Sequence, residues 1–137
     1  MLNNNQGYFK MTIAFTCVLV AVILPLVWVM VAKNGLFKSG QYDNSSPRIQ
    51  MEALSGAAQR ANWAQQNAYE ALPGFIAGVI IASLGNADQL TIDILAVVHV
   101  VARIVYGVLY IKDLATARSM SWAVAFFAMI GLFIAAF

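Results

Sequence analysis

The chain has 137 residues, of which 61% are hydrophobic and 10% charged, and its formal net charge at pH 7 is +2. Soluble domains carry about a quarter charged residues, so this composition predicts a single-domain integral membrane protein. The few charges are dispersed, which excludes nucleic acid as a partner because such binding requires a clustered basic surface. The one cysteine, Cys17, lies in an apolar run and is predicted to be a small buried side chain.

The first apolar run, residues 11–32, is predicted to be a membrane span. It is about as long as the ~20 residues that a spanning helix needs, and longer than the core of a signal peptide. No small-x-small cleavage site follows it, so we interpret it as a retained span. Residues 33–46 are rich in Asn, Gly and Ser, a composition that predicts a loop.

A long second helix is predicted over residues 48–84. Ser46-Pro47 has the pattern of an N-cap followed by proline in the first turn, and Gly85 is a typical helix stop. A helix of this length exceeds the thickness of a bilayer. Its first turns are therefore expected to project into water or lipid headgroups.

Two more spans are predicted at residues 92–112 and 119–137. The second of these follows a short turn, and Ser119 or Ser121 is its predicted N-cap. Four apolar helices with short connections predict an all-α, transmembrane, up-down-up-down four-helix bundle in one domain.

Orientation is predicted from the basic residues near the ends of the spans. The loops after spans one and three carry Lys33, Lys38, Arg48, Lys112 and Arg118, whereas the loop after span two has no basic residue. The positive-inside rule then places loops one and three in the cytoplasm and both termini outside. This pattern, with no targeting presequence visible, favours a bacterial inner membrane, and the endoplasmic reticulum is the alternative.

Two polar stripes are predicted to meet inside the bundle. They consist of Arg60, Asn67 and Glu70 on the second helix, and of His99, Arg103, Tyr106 and Tyr110 on the third. At 3.6 residues per turn each set lies on one helix face. Polar side chains within a span must face other helices or a water-filled cavity, so we predict the functional site where the stripes meet.

These residues resemble a known family. The sequence NAYEALPGF at residues 67–75 is similar to the second-helix signature of the MAPEG family, the membrane-associated proteins of eicosanoid and glutathione metabolism. RIVYGVLY at residues 103–110 is similar to its third-helix signature, and Arg118-Ser119 resembles the pair that opens its fourth helix. The resemblance covers residues 60–119.

The resemblance implies a homotrimer whose active sites lie between subunits and open to the cytoplasm. It also implies an enzyme that uses a thiol cofactor, glutathione, to conjugate or reduce lipophilic electrophiles or lipid peroxides. Membrane lipid and a lipophilic small molecule are the implied partners. By position, the cofactor-binding residues would be Arg60, Gln66, Asn67, Glu70, Arg103, Tyr106 and Tyr110, and the catalytic residues would be Arg118 and Ser119.

Roles follow from the same resemblance. Asn67 and Glu70 would hold the glutathione peptide, with Tyr106 and Tyr110 beside it. Arg118 would stabilise the thiolate, because a nearby guanidinium favours the charged form of a thiol.

The sequence departs from the family pattern at two positions. Several glutathione-using members carry basic residues where this chain has Trp63 and Gln66. Gln66 offers only neutral hydrogen bonds to a carboxylate, and Arg60 lies one turn earlier. A second hypothesis therefore stays open, in which the chain is a non-catalytic lipid-binding scaffold or an accessory subunit of a larger membrane complex. A channel or transporter is the third class, and no inverted repeat favours it.

For several of these residues a purely structural role is the alternative to ligand binding. Glu70 and Arg103 could form an interhelical ion pair with no ligand involved, and Arg103 could contact a ligand or brace the bundle. His99 has no companion ligands, so no metal site is predicted, and we expect it to be hydrogen-bonded between helices. Gly74 and Gly78 form a GxxxG pattern that predicts close helix packing at a trimer axis.

Overall fold

The computed structural model describes residues 11–137. It contains α1 (Ile13–Ser39), α2 (Pro47–Glu52), α3 (Gly56–Leu84), α4 (Gln89–Ile111) and α5 (Ala115–Ala135). Over the described residues there is no strand, and four helices, all except α2, are long and apolar enough to cross a membrane. The prediction of an all-α protein with four candidate spans is therefore confirmed.

Helix α1 is longer than the predicted span, which was expected to end at residue 32. It continues to Ser39, and Gly40, with φ of 68°, caps it by donating its N–H to the Phe37 carbonyl at 3.3 Å. The first part of the predicted loop is thus helical, because Asn and Gly residues are tolerated inside a helix whose neighbours are good helix formers.

The amino end of α1 is completed by two side chains. The hydroxyl of Thr12 accepts from the Phe15 N–H at 3.2 Å, while Asp93 in the second turn of α4 accepts from the Ala14 N–H at 2.8 Å. Both bonds satisfy N–H groups that have no partner within the helix itself. The carboxylate of Asp93 therefore connects the start of α1 to the start of α4.

The prediction of one continuous helix over residues 48–84 is wrong. Pro47 does begin a helix next to Ser46, but α2 ends at Glu52 and α3 begins only at Gly56. Gly56 has φ of 60°, in the left-handed region that glycine adopts most readily. This backbone conformation interrupts the helix although the surrounding residues are helix formers.

The last two helices begin earlier than expected. Asp88 caps α4 by accepting from the Thr91 N–H at 2.9 Å. Helix α5 begins at Ala115 with Leu114 at the N-cap position, so neither Ser119 nor Ser121 is its cap. Both serines lie inside the helix, where a hydroxyl can donate to a backbone carbonyl instead.

Small side chains fill the interior where the helices cross. Ala14, Ala21, Ala82 and Ala96 are buried in one cluster with Phe75. Gly78 extends this close packing, because a Cβ added there would lie 3.2 Å from the Leu132 Cβ. The close packing predicted for the GxxxG pattern is therefore present and is made against α5 of the same chain, while the trimer axis stays a prediction.

The first turns of α3 are tied to the end of α4. The Arg60 Nε donates to the Ile111 carbonyl at 3.0 Å, and its Nη1 lies 3.8 Å from a carboxylate oxygen of Asp113. This contact sets the relative position of α3 and α4, the two helices that carry the predicted polar stripes.

Candidate functional site

The two polar stripes meet in a cleft between α3 and α4, which we call the α3–α4 cleft. Its volume is about 280 Å³, and its lining residues are Trp63, Gln66, Asn67, Glu70, Tyr106 and Tyr110. The structure thus brings together five of the residues that the sequence singled out as cofactor-binding. Trp63, which marked a departure from the family pattern, forms part of the same wall.

Asn67 connects the two helices across this cleft. The Nη2 of Arg103 donates to the backbone oxygen of Asn67 at 2.8 Å and to its side-chain oxygen at 2.9 Å. The Asn67 amide nitrogen in turn donates to Glu70 at 2.9 Å. The alternative of a direct ion pair between Glu70 and Arg103 is therefore wrong, because the Asn67 amide lies between the two charges.

Aromatic rings and guanidinium groups alternate along the α4 side of the cleft. Arg103 lies 4.7 Å from the Tyr106 ring centroid, Tyr106 meets Tyr110 edge-on at 5.5 Å, and Arg118 lies 4.2 Å from the Tyr110 ring centroid. The α5 residue Arg118 is thereby held at the cleft by a cation–π contact.

Some hydrogen-bond donors of this row have no acceptor among the described residues. No residue in 11–137 accepts a hydrogen bond from the Arg118 guanidinium, and no carboxylate pairs with it. A guanidinium carries five N–H donors. The row therefore ends in a cation with free donors, which contacts Tyr110 at the cleft that Glu70 also lines.

Arg103 and Arg118 contact lining residues of the cleft without lining it themselves, and two further predicted site residues lie elsewhere. Arg60 does not line the cleft, since its guanidinium is engaged by Ile111 and Asp113. Ser119 is exposed, and its hydroxyl donates to the Ala115 carbonyl at 3.1 Å. Within one chain, Arg60 therefore braces the bundle, and Ser119 is directed along its own helix.

A second space lies between α3, α4 and α5, and we call it the three-helix cavity. Its volume is about 340 Å³, and its lining residues are Asn67, Glu70, Ala71, Gly74, His99, Arg103, Trp122, Ala125, Phe126 and Met129. Asn67 and Glu70 also line the cleft, so the two spaces share a polar wall. The α5 side of this cavity was not predicted from the sequence, although Trp122, Phe126 and Met129 lie at the spacing of one helix face.

His99 lies at the polar end of the three-helix cavity. Its Nδ1 lies 2.8 Å from the Ala125 carbonyl on α5, which confirms the predicted hydrogen bond between helices. The ring also stacks on Phe75, with centroids 4.1 Å apart and planes inclined by 5°. Among the described residues no group of three His, Cys, Asp or Glu side chains could hold a metal ion.

A third depression, the α1–α3 groove, lies among α1, α2 and α3. It has a volume of about 570 Å³, and its polar lining includes Lys33, Arg48, Gln65, Gln66 and Tyr69. Gln66 lines both this groove and the α3–α4 cleft. The two cations of the groove are therefore separated from the cleft by the width of α3.

Comparison with known proteins places the chain in a family. The sequence model of the MAPEG family matches residues 13–137, nearly the whole chain. No curated protein and no solved structure matches the sequence. The match extends through all four candidate spans and both polar stripes. The chain therefore belongs to the MAPEG family and is an integral, multi-pass membrane protein.

Proposed function

We propose that this protein is a thiol-dependent membrane enzyme that binds glutathione in the α3–α4 cleft and conjugates or reduces lipophilic electrophiles or lipid peroxides. The observation that carries the proposal is the position of Arg118. Its guanidinium lies 4.2 Å from the Tyr110 ring, at a cleft that also contains Glu70 and Asn67. The proposal assigns this cation the task of stabilising a thiolate.

The donors and acceptors of the cleft fit a small zwitterionic peptide. The Glu70 carboxylate can accept from an ammonium group, and the amides of Gln66 and Asn67 can bond peptide groups. The rings of Tyr106 and Tyr110 form an apolar side for the peptide backbone. Glutathione, when bound, supplies a nucleophilic sulfur.

Arg118 then determines how much of that sulfur is ionised. An ordinary thiol has a pKa of about 8.5, and the thiolate is the reactive form. A guanidinium a few ångströms away favours the charged form and lowers the pKa of the thiol, most strongly where water is scarce. The other wall of the cleft positions the peptide, and Arg103 keeps Asn67 in place for that purpose.

We further propose that the protein works as a homotrimer. Trp63 and Gln66 leave the cleft without a cation for the second carboxylate of glutathione, whereas the α1–α3 groove carries Lys33 and Arg48. Setting the groove of one protomer against the cleft of its neighbour would bring both sets of groups to one ligand. The oligomer mass in detergent tests this directly, and a monomer that binds glutathione would contradict it.

The membrane arrangement belongs to the same proposal. With both termini outside, the loop after α1 and the turn before α5 face the cytoplasm. Cysteine labelling of single-cysteine variants placed at Lys38 and at Gln89 would test the orientation. Only the variant at Lys38 should be protected from an impermeant reagent added outside.

The decisive experiment is glutathione binding to the purified protein, measured by calorimetry and by an ultraviolet difference spectrum for thiolate. The wild type should bind and show the thiolate band. Arg118→Ala should bind with the band lost, whereas Arg118→Lys should retain part of it. Lys38→Ala, an exposed basic residue in the last turn of α1, is the matched control and should behave as the wild type.

A non-catalytic role is the second candidate, and the uncharged Trp63 and Gln66 in the cleft wall favour it. In that case the chain would be a lipid-binding scaffold or an accessory subunit of a larger membrane complex. Glutathione at several millimolar would then give no heat of binding. A stoichiometric partner would co-purify in mild detergent.

A further inference from the structure

We propose that the three-helix cavity is a second ligand site, which binds a lipophile carrying a neutral hydroxyl or hydroperoxyl group and holds that group at His99. This inference deepens the proposed function, on which it rests for the reaction, by locating the lipophile in a space apart from the α3–α4 cleft; its binding test requires no glutathione. It is derived from the hydrogen-bonding state of His99, from the chemistry of its neighbours and from the apolar wall on α5.

The tautomer of His99 follows from its contact with Ala125. A carbonyl oxygen can only accept, so the 2.8 Å contact requires a proton on Nδ1. In the neutral ring Nε2 then carries a lone pair. No described residue donates to Nε2. The backbone of α5 thus fixes the ring so that its basic nitrogen is available.

Nε2 is not sealed from its surroundings, although the residue as a whole is buried. His99 has only 3% of its surface exposed. Across residues 11–137, every side-chain nitrogen or oxygen atom that is sealed off has a hydrogen-bond partner. An unpartnered Nε2 is therefore not sealed. His99 lines two spaces, the three-helix cavity and a space of about 10 Å³ among α1, α3 and α4, and only the three-helix cavity has room for a ligand. A buried acceptor without a partner is costly, which favours a ligand that donates to it.

Arg103 supplies the complementary donor. It is 4% exposed and lines the same cavity, one helical turn after His99. Asn67 occupies its Nη2 only, so other N–H groups of the guanidinium remain free. A hydroxyl or hydroperoxyl group can donate to Nε2 of His99 and accept from Arg103 at once. A carboxylate fits less well, because it would face the lone pair of Nε2 and the charge of Glu70.

The rest of the cavity suits an apolar body. The rings of Trp122 and Phe126 stack with centroids 5.1 Å apart and planes inclined by 8°. Gly74 leaves space on the α3 wall of the cavity, since a Cβ there would lie 2.7 Å from the Met129 sulfur. The volume of about 340 Å³ is within the range of about 300–1,000 Å³ that small-molecule sites have.

Access to the cavity is from the apolar side. Trp122 is 43% exposed and Phe126 is 36% exposed, and both lie within a candidate membrane span. The rim of the cavity is therefore aromatic and faces hydrocarbon or a neighbouring helix. A lipophile would enter there with its polar group leading toward His99.

The test compares two probes, 11-bromo-1-undecanol and its methyl ether, which differ only in the hydrogen-bond donor. Each is titrated into the detergent-purified protein without glutathione, and bromine quenching of tryptophan fluorescence is measured. Because Trp122 lines the cavity, Trp122→Phe should lose most of the saturable quenching. The alcohol should bind about 3- to 10-fold more tightly than the ether, as expected for one net hydrogen bond.

His99→Asn isolates the proposed contact. The asparagine amide nitrogen lies near the position of Nδ1 and can still donate to Ala125, whereas the Nε2 acceptor is removed. The ratio of ether to alcohol dissociation constants should fall to about one. A ratio that stays at the wild-type value in this variant overturns the assignment of His99.

Ala71→Leu tests the location by filling the cavity, and both probes should bind at least 10-fold more weakly. Ala57→Leu, on an exposed position of the same helix, is the control and should bind as the wild type. Quenching that is unsaturable, or equal in all variants, would show partition into detergent and contradict the proposal. Glutathione binding is measured separately, so either proposal can fail while the other stands.

Discussion

The α3–α4 cleft and the three-helix cavity lie on the two sides of one polar wall, yet they differ in character. The cleft is open, and charged or hydrogen-bonding groups from two helices line it. The cavity has polar groups at one end only and an aromatic wall on α5. Under the two proposals, the same Asn67 and Glu70 would serve a peptide site on one side and a lipophile site on the other. A membrane enzyme that joins a polar thiol to an apolar substrate requires such a pair of environments.

The largest effect is expected for a change in the shared wall itself, Arg103→Met. Two oxygen atoms of Asn67 would lose a charge-assisted hydrogen bond, and such bonds contribute about 1.5–3 kcal/mol each. The free energy of unfolding in detergent should fall by about 3 kcal/mol, and both ligand spaces should lose affinity. Arg103→Lys should lose less, because an ammonium can still reach one oxygen. Retained binding at both spaces in Arg103→Met would show that the wall is not shared.

Arg118→Ala should impair the function of the α3–α4 cleft and leave ligand binding in the three-helix cavity unchanged. Removing one preorganised group that stabilises a developing or bound anion costs about 100-fold in rate. We expect a loss of that order in kcat/KM for a lipophilic electrophile with glutathione. The thermal midpoint should change little, since Arg118 makes one partly exposed cation–π contact. Affinity for the brominated alcohol should not change, and a parallel loss of both would contradict the separation.

Trp122→Ala should weaken ligand binding in the three-helix cavity and leave the α3–α4 cleft unchanged. The indole covers one side of the three-helix cavity and stacks on Phe126. Its loss should weaken binding of an apolar probe about 5-fold, in keeping with roughly 1 kcal/mol for an aromatic contact. Calorimetry with the alcohol measures this loss, because the fluorescence signal is removed with the ring. Trp63→Ala is the matched control, since Trp63 lines only the cleft.

The smallest effect is expected at Gly56, which lies outside both spaces. An added Cβ would meet no atom within 4 Å, so only the backbone conformation at φ of 60° opposes alanine. A left-handed residue other than glycine costs about 1 kcal/mol. Gly56→Ala should therefore lower the free energy of unfolding by about that amount and leave both binding constants unchanged. Any larger change would mean that the break between α2 and α3 positions the cleft.

The cleft could be predicted from the sequence because polar residues in an apolar span are rare and their spacing shows the helix face. Asn67, Glu70, Tyr106 and Tyr110 were identified in this way, and the hydrogen bond of His99 to another helix was expected on the same grounds. Four candidate spans followed from the lengths of the apolar runs.

The cavity could not be predicted in the same way. Apolar residues of a span look alike in sequence whether they face lipid or line an internal space, so Trp122 and Phe126 gave no signal. Helix ends depended on single backbone conformations: Gly40 ends α1 later than expected, and Gly56 divides the expected second helix. Ser119 was predicted to be catalytic by position, but its hydroxyl bonds its own helix, a choice that only the local geometry determines.

The bond between Asp93 and the Ala14 N–H has a consequence for the order of assembly during synthesis. A donor at the start of the first span is satisfied by a carboxylate 79 residues later in the chain. Until α4 has entered the bilayer, that N–H must bond water or a lipid headgroup, which holds the end of α1 at the membrane surface. Helix α1 can therefore settle at its final depth only after α4, the third candidate span, has been inserted.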